Sequence, residues 1–129
     1  MLFRSGSRVS LEKAKGKIVL VDFWATWCAP CRASFPKYEA LAKKYSSDVV
    51  ILGISEDDEP DEIKEFAKET GVGFALAWDK DKGVASQYHP DAMPTSFIVD
   101  RNGLVRHVHG GFRDGDEQVL EGYIKELLQ

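Results

Sequence analysis

The sequence predicts an α/β fold, a mixed central β-sheet with helices on both faces. Three observations predict it. The apolar runs at Ile18–Trp24 and residues 49–54 are continuous and rich in β-branched side chains, as strands buried on both faces are. Segments with apolar residues at helical spacing alternate with them. Near the C-terminus, Asn102-Gly103 separates two more apolar runs, the strongest short-range hairpin signal. Strands alternating with helices pair in parallel through crossovers, and a late hairpin adds antiparallel strands.

Taken in order, residues 1–17 are polar and punctuated by Gly6 and Gly16, with short strands or a hairpin expected around Phe3 and Val9. Ile18–Trp24 is the first buried strand. After Cys31, the residues Phe35, Tyr38, Leu41, Ala42 and Tyr45 mark a helix, which Pro36 should bend. Residues 49–54 form the second buried strand. Ile63, Phe66 and Ala67 mark another helix, with Gly71 where a C-terminal cap belongs. Residues 74–78 read as a short strand and residues 84–88 as one or two helical turns. Residues 96–100 and 104–109 are the arms of the hairpin. Val119, Leu120, Tyr123, Ile124, Leu127 and Leu128 then trace an amphipathic helix. No repeat or long linker divides the chain, so it reads as one domain over 1–129, with residues 1–15 as an N-terminal extension.

Composition excludes several function classes. The 129 residues are 43% hydrophobic and 29% charged, ordinary values that argue against disorder. No apolar run approaches the roughly 20 residues of a membrane span. The net charge of −4 disfavours nucleic acid as a partner, because its binding needs a positive face. The acids are concentrated, six of them in the seven residues 56–62. The spacing there does not match an EF-hand. The segment reads as a solvated loop feeding the first turn of a helix, where acids complement the dipole. The N-terminus shows no apolar signal segment, as would a domain that begins after a signal or anchor.

The chemistry concentrates in Cys28 and Cys31, the two cysteines of the chain. They lie where the first buried strand runs into the first helix. Unpaired N–H groups and the dipole at a helix N-terminus stabilise a thiolate there. Pro30 falls in the first turn, where its missing N–H does no harm. Cys28 is expected as the exposed nucleophile that attacks a partner disulfide, and Cys31 as the more buried thiol that resolves the mixed disulfide. Half of a zinc site is the competing reading, with His89, His107 and His109 as further ligands. Those histidines lie far along the chain, and His107 and His109 share one face of a strand, a poor zinc-finger spacing. A purely stabilising disulfide is disfavoured because so short a loop constrains little unfolded-state entropy.

The run Val21-Asp22-Phe23-Trp24-Ala25-Thr26-Trp27-Cys28-Ala29-Pro30-Cys31 resembles the active-site stretch of thioredoxin-fold proteins. Residues 93–103, Met93-Pro94-Thr95-Ser96-Phe97-Ile98-Val99-Asp100-Arg101-Asn102-Gly103, resemble the loop, strand and turn that face it. The two are most similar to the TlpA/ResA type of bacterial thiol–disulfide oxidoreductase. The resemblance implies a thioredoxin-like fold and no cofactor beyond a redox-active Cys28–Cys31 disulfide. It implies a monomer acting on protein thiol or disulfide substrates, and an upstream thiol electron donor. An extracytoplasmic place is implied too, with any membrane tether supplied by a segment outside this chain.

By position, Pro94 matches the family's cis-proline and would present backbone to the bound peptide between Met93 and Thr95; the residues alone read equally as an ordinary strand-edge proline. Trp27 matches the aromatic residue over the active-site surface, and Trp24 is expected in the core. Asp22 falls where a buried acid stands behind the disulfide in cytoplasmic-type thioredoxins. Its pKa should be raised by desolvation, and it could accept the proton of Cys31. The alternative for Asp22 is a polar strand end, solvated or hydrogen-bonded. Two departures from the TlpA/ResA pattern stand out. Asp22 occupies a position that is often Asn, and Ser34 stands where many members carry a helix glutamate. Proton transfer is therefore expected from the strand. The Ala29-Pro30 insert is closer in character to reducing members, so a reductant is expected. The rivals are a peroxiredoxin-like peroxidase, whose Pro-x-x-x-Thr-x-x-Cys pattern is not matched here, and a redox-inactive binding module, which typically lacks one cysteine.

Overall fold

The computed structural model describes residues 2, 3, 14 and 16–129. Six strands form one sheet: β1 (Leu2–Phe3), β2 (Ile18–Trp24), β3 (Val49–Ser55), β4 (Ala75–Trp78), β5 (Thr95–Val99) and β6 (Val105–Gly110). The helices are α1 (Ala29–Lys44), α2 (Asp61–Thr70), α3 (Gly83–Tyr88) and α4 (Asp116–Leu128). The strand order is β1-β4-β3-β2-β5-β6. β2, β3 and β4 run parallel, and β1, β5 and β6 join antiparallel. The mixed sheet expected from the sequence is present. A strand forms at Phe3, though it pairs with β4; Val9 lies outside the described residues.

All seven residues of β2 are buried, because the strand is central and covered on both faces. Period-two alternation divides them. Ile18, Leu20 and Trp24 join the core beneath α1, α2 and α4, while Val19, Val21 and Phe23 join a smaller core beneath α3. Helices do cover both faces, but unequally: three against one short helix. Asp22 lies on the thicker side, beside β5, where Ser96 is its register partner.

Trp24 needs a gap in the neighbouring strand. A Cβ on Gly53 would stand 3.0 Å from the Trp24 indole nitrogen and 2.8 Å from Leu76 Cδ2. Trp24 packs at 4.8 Å against both Phe35 and Phe66, so it cannot retreat. Gly53→Ala is expected to cost about 1–3 kcal/mol by overpacking, read as a fall in the urea midpoint.

The helix ends follow their local chemistry. Gly71 closes α2 at φ 67, the left-handed cap that glycine adopts freely. Asp100 Oδ1 accepts the N–H groups of Asn102 and Leu104 and shapes the β5–β6 turn. Helix α1 continues through Pro36 without interruption. The acidic segment differs from expectation. Asp58, Glu59, Asp61 and Glu62 are exposed, but Glu56 is 8% and Asp57 only 1% exposed. The buried pair lies just beyond β3, hydrogen-bonded to Trp24 and Thr26 ahead of α1.

Candidate functional site

β2 ends at Trp24, and four residues later Cys28 caps α1. Its backbone is extended (φ −95, ψ 108), and its sulfur accepts the Cys31 N–H at 3.2 Å. A serine or aspartate oxygen ordinarily does this work at an N-cap. The same N–H that receives a capping oxygen thus receives sulfur, and it favours negative charge there. Pro30 occupies the first turn, where no intrahelical donor is lost. Cys28 and Cys31 are joined as a disulfide with Cα atoms 5.2 Å apart. Cys28 is less exposed than expected, at 5%, because it packs into the main core cluster; Cys31 is fully buried. The order of accessibility is the expected one.

Trp27, between the capped cysteine and the strand, is 68% exposed. An indole left in water beside a sulfur is a ready contact for a docking chain. Pro30 is exposed as well, Met93 half-buried, and Pro94 and Thr95 buried. Thr95 pairs with Phe23 across the β2–β5 ladder, so Pro94 lies at the same end of the sheet as the cysteines. The Met93–Pro94 bond is cis. The Pro94 carbonyl accepts the Gly111 N–H at 2.7 Å, and Thr95 Oγ1 donates to the Ala92 carbonyl at 2.6 Å.

Asp22 is completely buried. Its Oδ1 lies 3.1 Å from Ser96 Oγ and 3.3 Å from the Tyr38 hydroxyl, which also contact each other at 2.8 Å and so share two protons among three hydrogen bonds, while its Oδ2 has no hydrogen-bond partner among the described residues. Burial pushes its pKa up to about 8, against the lowering pull of Ser96 and Tyr38. Tyr38 is in turn pushed well up by burial and by the Asp22 charge. Asp22 is thus hydrogen-bonded on one oxygen and not solvated. Tyr38 and Ser96 carried no functional signal in the sequence. They read as a helix core residue and a strand residue, and only the β2–β5 register and the packing of α1 bring them to Asp22. Ser34, the position of the absent glutamate, is buried and donates to the Cys31 carbonyl at 2.7 Å.

His107 and His109 are engaged elsewhere. His107 contacts Glu126 at 2.6 Å and stacks on Tyr123, and His109 contacts Asp116 at 2.9 Å. Among the described residues no group of three or more His, Cys, Asp or Glu side chains could hold a metal ion. No helix among them is long and apolar enough to cross a membrane.

A disulfide capping the first helix of a mixed α/β sheet, with a cis-proline at the same sheet end, defines a thioredoxin-fold thiol–disulfide oxidoreductase. The sequence matches the AhpC/TSA family over residues 3–108. It is 33% identical over 124 residues to thiol-disulfide oxidoreductase ResA of Bacillus thuringiensis (strain Al Hakam), covering 95% of this chain and 70% of that one. It is 36% identical over 110 residues to thioredoxin-like protein YneN of Bacillus subtilis (strain 168), covering 83% of this chain and 64% of that one. The chain therefore spans about two thirds of the length of these relatives. A crystal structure from Chlorobium tepidum, assigned as a thiol:disulfide interchange protein DsbE, superposes with a TM-score of 0.95 at 34% identity, over 100% of this chain and 92% of that one. The chain belongs to the AhpC/TSA family and, within it, to the ResA-like thiol–disulfide oxidoreductases.

Proposed function

We propose that the domain reduces protein disulfides and is recharged by an upstream thiol donor. The observation that carries this reading is the placement of the Cys28 sulfur at the N-terminus of α1, accepting the Cys31 N–H. Reduced Cys28 attacks one sulfur of a partner disulfide as thiolate. The partner S–S bond breaks, one partner thiolate leaves, and a mixed disulfide forms. Cys31 then gives up its proton and attacks the Cys28 sulfur. The Cys28–partner bond breaks as the Cys28–Cys31 bond forms, and the second partner thiolate leaves with the electron pair: the cysteine pair is oxidised by two electrons and the partner reduced by two.

Asp22 is the acceptor for the Cys31 proton in this scheme. A carboxyl whose pKa lies near 8 can take a thiol proton and release it again near neutral pH. Trp27, Pro30 and Met93 form the surface on which the partner lies, with Pro94 and Thr95 buried behind it. The protein works as a monomer on the extracytoplasmic side, as the sequence resemblance implies, with any tether outside this chain. No cofactor takes part beyond the cysteine pair.

Equilibrium titration against glutathione tests the direction. A potential in the reducing range, towards the roughly −270 mV of thioredoxin, is expected; a value above about −180 mV overturns the reductase reading. The AhpC/TSA match favours one second reading, a peroxidase. Consumption of hydrogen peroxide by the reduced protein without a partner thiol would establish it, and none is expected.

A further inference from the structure

We infer that Asp57 is a positioning residue for thiol–disulfide exchange, holding the Thr26–Cys28 segment in the conformation from which Cys28 attacks. The inference rests on the reductase reading above. Asp57 lies just beyond β3, 31 residues from its partner. Its Oδ2 and Oδ1 accept the Thr26 backbone N–H at 3.0 and 3.2 Å. Its Oδ1 also accepts Thr26 Oγ1–H at 2.7 Å, and its Oδ2 accepts Ser55 Oγ–H at 2.5 Å. A carboxylate, which only accepts, suits this set of donors. Hydrogen bonds to an ionised acceptor are among the stronger ones a loop can make.

The carboxylate is itself held. The Asp57 N–H donates to Ser55 Oγ at 3.0 Å, and Trp78 Nε1–H donates to the Asp57 carbonyl at 2.8 Å. β3 and β4 therefore fix the acceptor before the loop reaches it. On its other side, the Thr26 carbonyl accepts Arg32 Nε–H at 2.9 Å. Every polar group of Thr26 is thus tied down two residues before the sulfur. The Cys28 N–H closes the turn on the Ala25 carbonyl at 3.1 Å. Trp27 is left exposed on a backbone fixed at both ends.

This arrangement matters to rate because sulfur must approach a partner disulfide along one line, and a displacement of about 1 Å can cost about a hundredfold. The disulfide fixes the loop in the oxidised protein. In the reduced protein that link is open, and the Asp57–Thr26 contact remains to hold Cys28 in place.

The test uses the reduced full chain and stopped-flow measurement of its second-order rate constant with two oxidants, insulin and a small aromatic disulfide. Asp57→Ala is expected to slow both reactions at least tenfold. Asp57→Asn, which keeps one acceptor oxygen for Thr26, should recover to within about threefold of the parent. Thr26→Val should slow attack, and adding it to Asp57→Ala should bring little further loss. An Asp57→Ala rate within twofold of the parent overturns the inference, as do additive effects of the two substitutions. Should Asp57→Ala not fold, Thr26→Val decides alone: threefold or greater slowing upholds the inference, parental rates sink it. A parent that leaves insulin intact defeats the reductase reading, while its rates with the aromatic disulfide still judge Asp57.

Discussion

Asp22 and Asp57 are both buried at the cysteine end of the sheet, yet their surroundings differ. Asp22 has two hydroxyls, themselves hydrogen-bonded to each other, on one oxygen and no donor on the other. Asp57 has Thr26 on both oxygens and Ser55 on one. A carboxyl starved of donors is costly to ionise, and its proton stays exchangeable near neutral pH. One saturated with donors ties together the segments that supply them. Burial is common to both; what differs is the number of donors, and the proposed roles of proton acceptor and structural pin rest on that difference.

The largest effect that would separate them is kinetic. Asp22→Asn should slow resolution of the mixed disulfide on the order of a hundredfold at pH 7, within the usual range for a lost general base. Attack should be spared, so the mixed disulfide with insulin should accumulate and be trapped by acid quench. Asp57→Ala should slow the earlier step and trap nothing. If both variants slow the same step, the contrast collapses.

A smaller effect sharpens the role of the donors around Asp22. Removing one of them, by Ser96→Ala or Tyr38→Phe, should push the Asp22 pKa higher still. A hydrogen bond to a charged group is worth about 1.5 kcal/mol, and one pH unit is about 1.4 kcal/mol. The midpoint of the resolution rate against pH should therefore rise by roughly one unit in either variant. An unchanged midpoint would show that another group governs the step.

The smallest effect is on stability. Asp22 is pushed up to about 8 in the folded protein, and Glu56, beside Asp79, is pushed up to about 8 as well, chiefly by burial. In the unfolded chain both titrate near 4. Between those values the native state binds more protons than the unfolded one, so stability falls as pH rises from about 4 to about 8. The urea midpoint should be lower at pH 8 than at pH 5. Asp22→Asn should flatten this slope without abolishing it, because Glu56 remains. A slope unchanged by the substitution would remove Asp22 from the account.

What could be read from the chain alone was whatever is local. β-branched runs identify buried strands, apolar spacing identifies helices, Gly71 and the Asn102-Gly103 turn end their elements, and the Cys28–Cys31 spacing lies within one helical turn. Each signal spans a few residues, so short-range sterics and hydrogen bonding decide it. Asp22 was legible too, as a lone acid in an apolar run. The acidic run was misread at its first two members because composition cannot tell a solvated acid from one folded under a loop. Asp57 meets Thr26 across 31 residues, and Ser96 meets Asp22 across 74. Strand order and register create those contacts, and no local pattern encodes them. The sequence by itself determined where the sulfurs sit and what they can do. Only the tertiary structure decided which carboxylate is left short of donors and which is surrounded by them, because hydrogen-bond supply in a buried site comes from elements distant in the chain.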